Sequence, residues 1–205
     1  MMKVKICGIT NLDDANLAVD LGADLVGFIF YSKSKRYLPF KKAGEIISRL
    51  PAGIEKVGVF VDEKIETVAD AVNVSGITAV QLHGNEDQNY IDKLNVPVIK
   101  GFRIADNFDF SILRSLNNCS LLLDAYSAND FGGTGKSFDW KIIPQDLRSK
   151  IFLAGGVSSD NIEYIYNNIK PYAVDLSSSV EISPGIKDHN KLKTFFNTVN
   201  RLRNK

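Results

Sequence analysis

Eight short apolar runs, separated by stretches of helical periodicity, constrain this chain more than any other feature. They cover residues 4–7, 25–30, 56–60, 79–83, 96–101, 121–124, 151–155 and 173–177. Most are continuously apolar, the pattern of strands covered on both faces, as parallel strands are in α/β proteins. Parallel neighbours need crossovers, right-handed by default. The intervening stretches supply them. Ile65, Val68, Ala69 and Val72 share one helical face, as do Ile162, Ile165, Tyr166 and Ile169, and Leu192, Phe195, Phe196, Val199 and Leu202. Start signals fall at Asn11 before Asp13 and Asp14, at Asn85 with Gln88 three residues on, and at Ser158-Ser159 before Asp160. The repeat predicts one (β/α)8 barrel over residues 1–205, with an open doubly wound sheet as the alternative. The lack of an antiparallel hairpin signal favours closure. The sixth unit is weakest: a polar, glycine-rich loop at 127–137 precedes a poor helix at 140–143. A loop of that length in a compact domain reads as functional or mobile.

Composition narrows the class of partner. A net charge of +1 gives no reason to expect nucleic acid or an anionic membrane. The basic residues near the C-terminal end (Lys191, Lys193, Arg201, Arg203, Lys205) read as a solvated face. Two cysteines, Cys7 and Cys119, are too few for a disulfide framework and suit a reducing cytosol. The first ten residues turn polar too soon for a signal peptide, and no run approaches the roughly 18 apolar residues of a membrane span. The expectation is a cytoplasmic protein acting on a small molecule. Few apolar clusters look exposed, which favours a monomer and leaves a homodimer open.

In such a barrel the active site lies at the C-terminal ends of the strands. Cys7 ends the first run and is either a buried structural cysteine or, beside Lys5 and the helix start at Thr10-Asn11, a thiolate of lowered pKa. Asp124 ends Leu121-Leu122-Leu123 and is either a cap or buried hydrogen-bonded group, or a general acid whose pKa burial raises. Gly155-Gly156 after the seventh strand and Ser177-Ser178-Ser179 after the eighth stand where barrels often bind phosphate; the plain alternative is a turn with a helix cap. Arg36, in the loop after the second strand, is either solvated or a two-point grip on a carboxylate. His83 ends the fourth strand; with only two histidines and no neighbouring ligand set, a metal site is not expected, leaving a substrate contact or a structural role. Gly132-Gly133-Thr134-Gly135-Lys136-Ser137 is not a P-loop, because Asp130 stands where its first glycine is required, and no dinucleotide fingerprint occurs.

The ordered set of segments resembles the N-(5′-phosphoribosyl)anthranilate isomerases of tryptophan biosynthesis. It comprises Lys5-Ile6-Cys7-Gly8-Ile9-Thr10; Gly27-Phe28-Ile29-Phe30 with Ser34 and Arg36; Gln81-Leu82-His83-Gly84; and Leu123-Asp124 followed by Gly132-Gly133-Thr134-Gly135-Lys136 and Phe138-Asp139-Trp140. Leu153-Ala154-Gly155-Gly156-Val157 and Val174-Asp175 leading to Ser183-Pro184-Gly185-Ile186-Lys187-Asp188 complete it, from residue 3 to about residue 200. One departure is Ser179, where the family usually has glycine; if that position needs a positive φ, serine adds strain.

The resemblance implies an Amadori rearrangement of an aminoaldose to an aminoketose, without metal or organic cofactor. It implies Asp124 as the general acid that opens the ribose ring and Cys7 as the base that removes the C2 proton. Arg36 would hold the anthranilate carboxylate, Gly155, Gly156, Ser178 and Ser179 the phosphate, and His83 and Asp175 would make further substrate contacts. Rivals are a sugar-phosphate epimerase, a histidine-pathway isomerase (expected to carry Asp at the Cys7 position) and a non-catalytic phosphometabolite-binding barrel.

Overall fold

The computed structural model describes residues 1–105, 107–125 and 139–204. Eight parallel strands close into a barrel in sequence order: β1 (Lys3–Cys7), β2 (Leu25–Ile29), β3 (Glu55–Phe60), β4 (Ala79–Leu82), β5 (Val98–Ile104), β6 (Ser120–Ala125), β7 (Ile151–Leu153) and β8 (Ala173–Leu176). Closure is made by β1, which pairs in parallel with β2 (Lys5 opposite Leu25, Cys7 opposite Gly27) and with β8 (Lys5 opposite Asp175). The open-sheet alternative is thereby removed.

Alternation along the strands separates two cores. Side chains such as Val4, Ile6, Val26 and Phe28 pack outward under the helices. Leu25, Val57, Ala79, Ile99, Leu122, Phe152, Ala154 and Ala173 form a separate cluster inside the barrel. Strands buried on both faces explain the unbroken apolar runs. The inward layer above that plug is where polar side chains begin.

The crossovers are α1 (Leu12–Leu21), α2 (Phe40–Ile47), α3 (Ile65–Ser75), α4 (Gln88–Ile91), α5 (Ser111–Arg114), α6 (Gln145–Arg148), α7 (Ile162–Tyr164) and the final α8 (His189–Arg203). Asn11 caps α1 as expected, accepting from the Asp14 N–H at 2.9 Å. Two starts differ from expectation. Asp87, not Asn85, caps α4 by accepting from Tyr90 N, because Asn85 is drawn instead to Asp62, with its N–H 2.6 Å from Oδ1. The seventh helix begins after Asn161, whose side chain folds back onto Ser158 N, and continues as a π turn over Ile165–Ile169. On α3 the buried stripe runs through Val68, Ala71 and Ser75, with Ala69 exposed.

After β8 the chain forms a hairpin the sequence reading lacked, β9 (Glu181–Ser183) against β10 (Ile186–Lys187). Its signal was Pro184-Gly185, the residue pair of a tight turn. Arg203 is no part of a solvated face. It bonds Met2 O at 2.9 Å, Gly22 O at 3.0 Å and Asp24 at 2.5 Å, tying α8 to the start of the barrel. Both cysteines are free thiols. The reading of 127–137 as a functional or mobile loop lies outside the described residues, as does the Gly132–Lys136 segment.

Candidate active site

A cleft of about 800 Å³, measured out to its open mouth, occupies the C-terminal end of the barrel. Cys7, Arg36, His83, Asp124, Gly155, Gly156, Asp175, Ser178 and Ser179 all line it, so the fold brings every candidate residue to one place. The strand ends supply them in turn: β1 gives Cys7, β6 Asp124, β8 Asp175. His83 directly follows β4, and the loops after β2, β7 and β8 supply the rest.

Cys7 is buried, and burial pushes its thiol pKa up; Lys5 pulls the other way, and Asp175 adds to the rise. The net direction is opposite to the lowering expected from the nearby helix start. The start of α1 lies past Gly8, Ile9 and Thr10, while the sulfur sits inside the barrel wall.

Lys5 is fully buried, its ammonium 3.0 and 3.1 Å from the two carboxylate oxygens of Asp175. Asp175 lines the cleft with that carboxylate already engaged. Burial pushes its pKa up, with Lys5 opposing.

Arg36 meets Glu181 side-on. Its Nε lies 2.9 and 3.0 Å from the two carboxylate oxygens and Nη2 2.7 Å from Oε2. Lys187 completes the cluster. Its ammonium donates to Glu181 Oε1 at 2.8 Å and to the carbonyl of Cys7 at 2.5 Å. One carboxylate thus serves two cations, and the cluster keeps a positive charge beside the cleft. It also fastens the β9–β10 hairpin to the end of β1.

His83 is neutral. Burial first, then the charges of Arg103, Lys5 and Lys100, push its pKa down to about 3. Its Nδ1 lies 3.1 Å from Gln81 Nε2, and its Nε2 lies 3.8 Å from Asp124 Oδ2. If Gln81 donates to Nδ1, the ring proton sits on Nε2, on the Asp124 side.

Opposite, Gly155 and Gly156 both have left-handed backbone, φ 75° and 78°, which residues with a Cβ adopt only with strain. Two such residues in succession turn the chain sharply after β7, and the absence of side chains lets a ligand approach the backbone. After the neighbouring strand β8, Ser178–Val180 form a single 3-10 turn whose Ser178 and Ser179 line the same cleft. Ser179 is not among the positive-φ residues, so the strain considered for a serine at this position does not arise.

The family model described as N-(5'phosphoribosyl)anthranilate (PRA) isomerase matches residues 4–198. The chain belongs to that family. It is 45% identical over 199 residues to N-(5'-phosphoribosyl)anthranilate isomerase of Thermotoga neapolitana, covering 95% of this chain and 97% of that one. The crystal structure of phosphoribosyl anthranilate isomerase from Thermotoga maritima superposes with a TM-score of 0.90 at 38% identity, covering 98% of this chain and all of that one. A further solved isomerase, in complex with reduced 1-(o-carboxyphenylamino)-1-deoxyribulose 5-phosphate, gives 0.86 at 37% identity, with 98% and 100% covered. The barrel is therefore that of an isomerase of tryptophan biosynthesis.

Gln81, which lines this isomerase's cleft, and Glu181 and Lys187, which pair with each other beside it while Glu181 also engages Arg36, carried no assigned role in the sequence reading. Gln81 stands two residues before His83 on one strand face, so the period of a strand already placed it beside the ring. Glu181 and Lys187 come together only because the hairpin folds back, which local pattern does not reveal. Among the described residues no group of His, Cys, Asp and Glu is arranged to hold a metal ion, and no helix is long and apolar enough to cross a membrane.

Proposed function

We propose that this isomerase converts N-(5-phosphoribosyl)anthranilate to 1-(2-carboxyphenylamino)-1-deoxyribulose 5-phosphate, in the cytoplasm and as one catalytic domain. The observation that carries the reading is the meeting of Cys7 and Asp124 in one cleft, from strands on different sides of the barrel wall. Acid and base on separate supports suit a reaction that protonates one substrate atom and deprotonates another.

In this reading Asp124 protonates the ribose ring oxygen, and opening leaves an iminium conjugated to the aromatic amine. That cation acidifies the C2 hydrogen and, lying near Cys7, favours the thiolate that burial otherwise disfavours. Cys7 takes the C2 proton, the C–H pair forms the C1–C2 double bond, and the iminium pair returns to nitrogen. The enolamine then tautomerises to the ketone. Neutral His83 serves as a hydrogen-bond partner, not as a cationic acid.

Arg36 holds the anthranilate carboxylate, kept in line by Glu181. Ile29, Val59 and Val61 give the cleft an apolar wall suited to an aromatic ring. Gly155, Gly156, Ser178 and Ser179 hold the phosphate at the other end, and Asp175 acts near the sugar. Two anchored anions align the sugar carbons with acid and base.

The test is loss of anthranilate-type fluorescence when purified protein meets freshly generated phosphoribosylanthranilate. Rapid, enzyme-dependent loss is expected. A binding isotherm without fluorescence loss would overturn the assignment in favour of a non-catalytic barrel.

A further inference from the structure

Lys5 lies below the cleft, in the inward-facing layer of the barrel. Its neighbours on β1, Val4 and Ile6, face the helices, so strand alternation sends Lys5 and Cys7 to the same interior side. Burying an ammonium costs heavily unless it is paired, and even a paired ion often stabilises a fold less than two well-packed apolar side chains. Asp175, directly opposite in the β1–β8 register, supplies the pairing. Stability alone gives little reason for the pair.

The other neighbouring strand supplies a reason. A Cβ placed on Gly27 of β2 would lie 2.8 Å from Cys7 Sγ and 3.1 Å from Lys5 Nζ. Sulfur and ammonium therefore share the space that glycine leaves open. Lys5 stands between a carboxylate on β8 and the sulfur of its own strand.

We propose that Lys5 is a positioning residue for catalysis: its ammonium is the counter-charge that stabilises the Cys7 thiolate, and the Asp175 side chain is its hydrogen-bond partner in the unliganded protein. The inference rests on Cys7 as the base. Lys5 itself takes no proton; it stays an ammonium while the C–H bond of substrate breaks and the S–H bond forms.

The other groups around Cys7 leave this role open to Lys5. Lys187 approaches the Cys7 carbonyl but is engaged by Glu181, which also pairs with Arg36 from the loop after β2. From β4 comes His83, which is neutral, and from β6 Asp124, an acid. Gly27 on β2 has no charge. Burial and Asp175 both disfavour the thiolate, and Lys5 is the foremost influence opposing them.

The test reads the thiol directly, in the unliganded protein. Alkylation of Cys7 by iodoacetamide is followed from pH 6 to 10 by mass spectrometry of the Cys7 peptide, which separates it from Cys119. The wild type is compared with Asp175→Asn and with Lys5→Met/Asp175→Asn, the latter exchanging the buried ion pair for a neutral one. Removing the carboxylate alone should lower the midpoint of alkylation. Removing the ammonium as well should raise it above that of Asp175→Asn by about one to three pH units. Coincident midpoints for the two variants would overturn the proposal. If the double variant does not fold, an Asp175→Asn midpoint at or above the wild-type value would do the same. No substrate is involved, so failure here is distinct from failure of the isomerase assay.

Discussion

Glu181→Gln tests the charge cluster on which the proposed carboxylate grip depends. The wild-type carboxylate accepts from Arg36 Nε and Nη2 and from Lys187 Nζ, and its side chain is 4% exposed. Glutamine keeps the shape but presents one oxygen to two cations and turns an NH2 group toward one of them. Lys187, fully buried, is left without a counter-charge. Breaking a buried pair by neutralising one partner costs about 3–5 kcal/mol. At about 2–4 °C per kcal/mol for a chain of this size, the melting temperature should fall by roughly 6–20 °C. The pH dependence gives a second readout. Burial opposes the charge on Glu181, but Arg36 and Lys187 outweigh it and hold the pKa below the usual value. Its stabilisation is therefore complete above the unfolded-state pKa, near 4.3, and is lost as pH falls through the lower folded-state value. Differential scanning fluorimetry of wild type and variant from pH 8 to pH 3 should show a large gap at neutral pH that closes on acidification. A gap below 2 °C at pH 7, or one constant across the range, would refute the reasoning.

Three further outcomes follow from the same geometry. Arg36→Ala should mainly raise KM, since in the proposed reading the guanidinium holds a non-reacting carboxylate; an unchanged KM in steady-state assays would place that carboxylate elsewhere. Gly27→Ala puts a methyl 2.8 Å from the Cys7 sulfur, which should cost about 1–3 kcal/mol by urea denaturation and lower kcat by displacing the proposed base; wild-type kcat would contradict the packing argument. Ser179→Gly should lose about 0.5–1 kcal/mol of stability, because Ser179 does not have positive φ and glycine there adds only unfolded-state entropy; a rise in the urea midpoint would reveal strain at the serine.

The barrel was legible in the sequence because its strands are buried on both faces and its helices on one. The apolar runs and stripes record that burial directly. What local pattern missed was decided by contacts distant in sequence. Asn85 looked like a cap until Asp62, 23 residues earlier, claimed it. Glu181 and Arg36 meet across 145 residues. The direction of the Cys7 pKa followed from depth in the barrel wall, which a strand-end position does not report. Lys5 and Asp175 pair across 170 residues, a contact that neither strand's own pattern reports.

The most direct test of the central claim is turnover by Cys7→Ser and Asp124→Asn in the fluorescence assay, beside binding of a reduced product analogue to each. The account predicts that each variant loses about 10²–10⁴-fold in kcat while the analogue still binds, because its anchors lie at Arg36 and the phosphate loops. Near-wild-type turnover in either variant would contradict the pairing of Asp124 as acid with Cys7 as base.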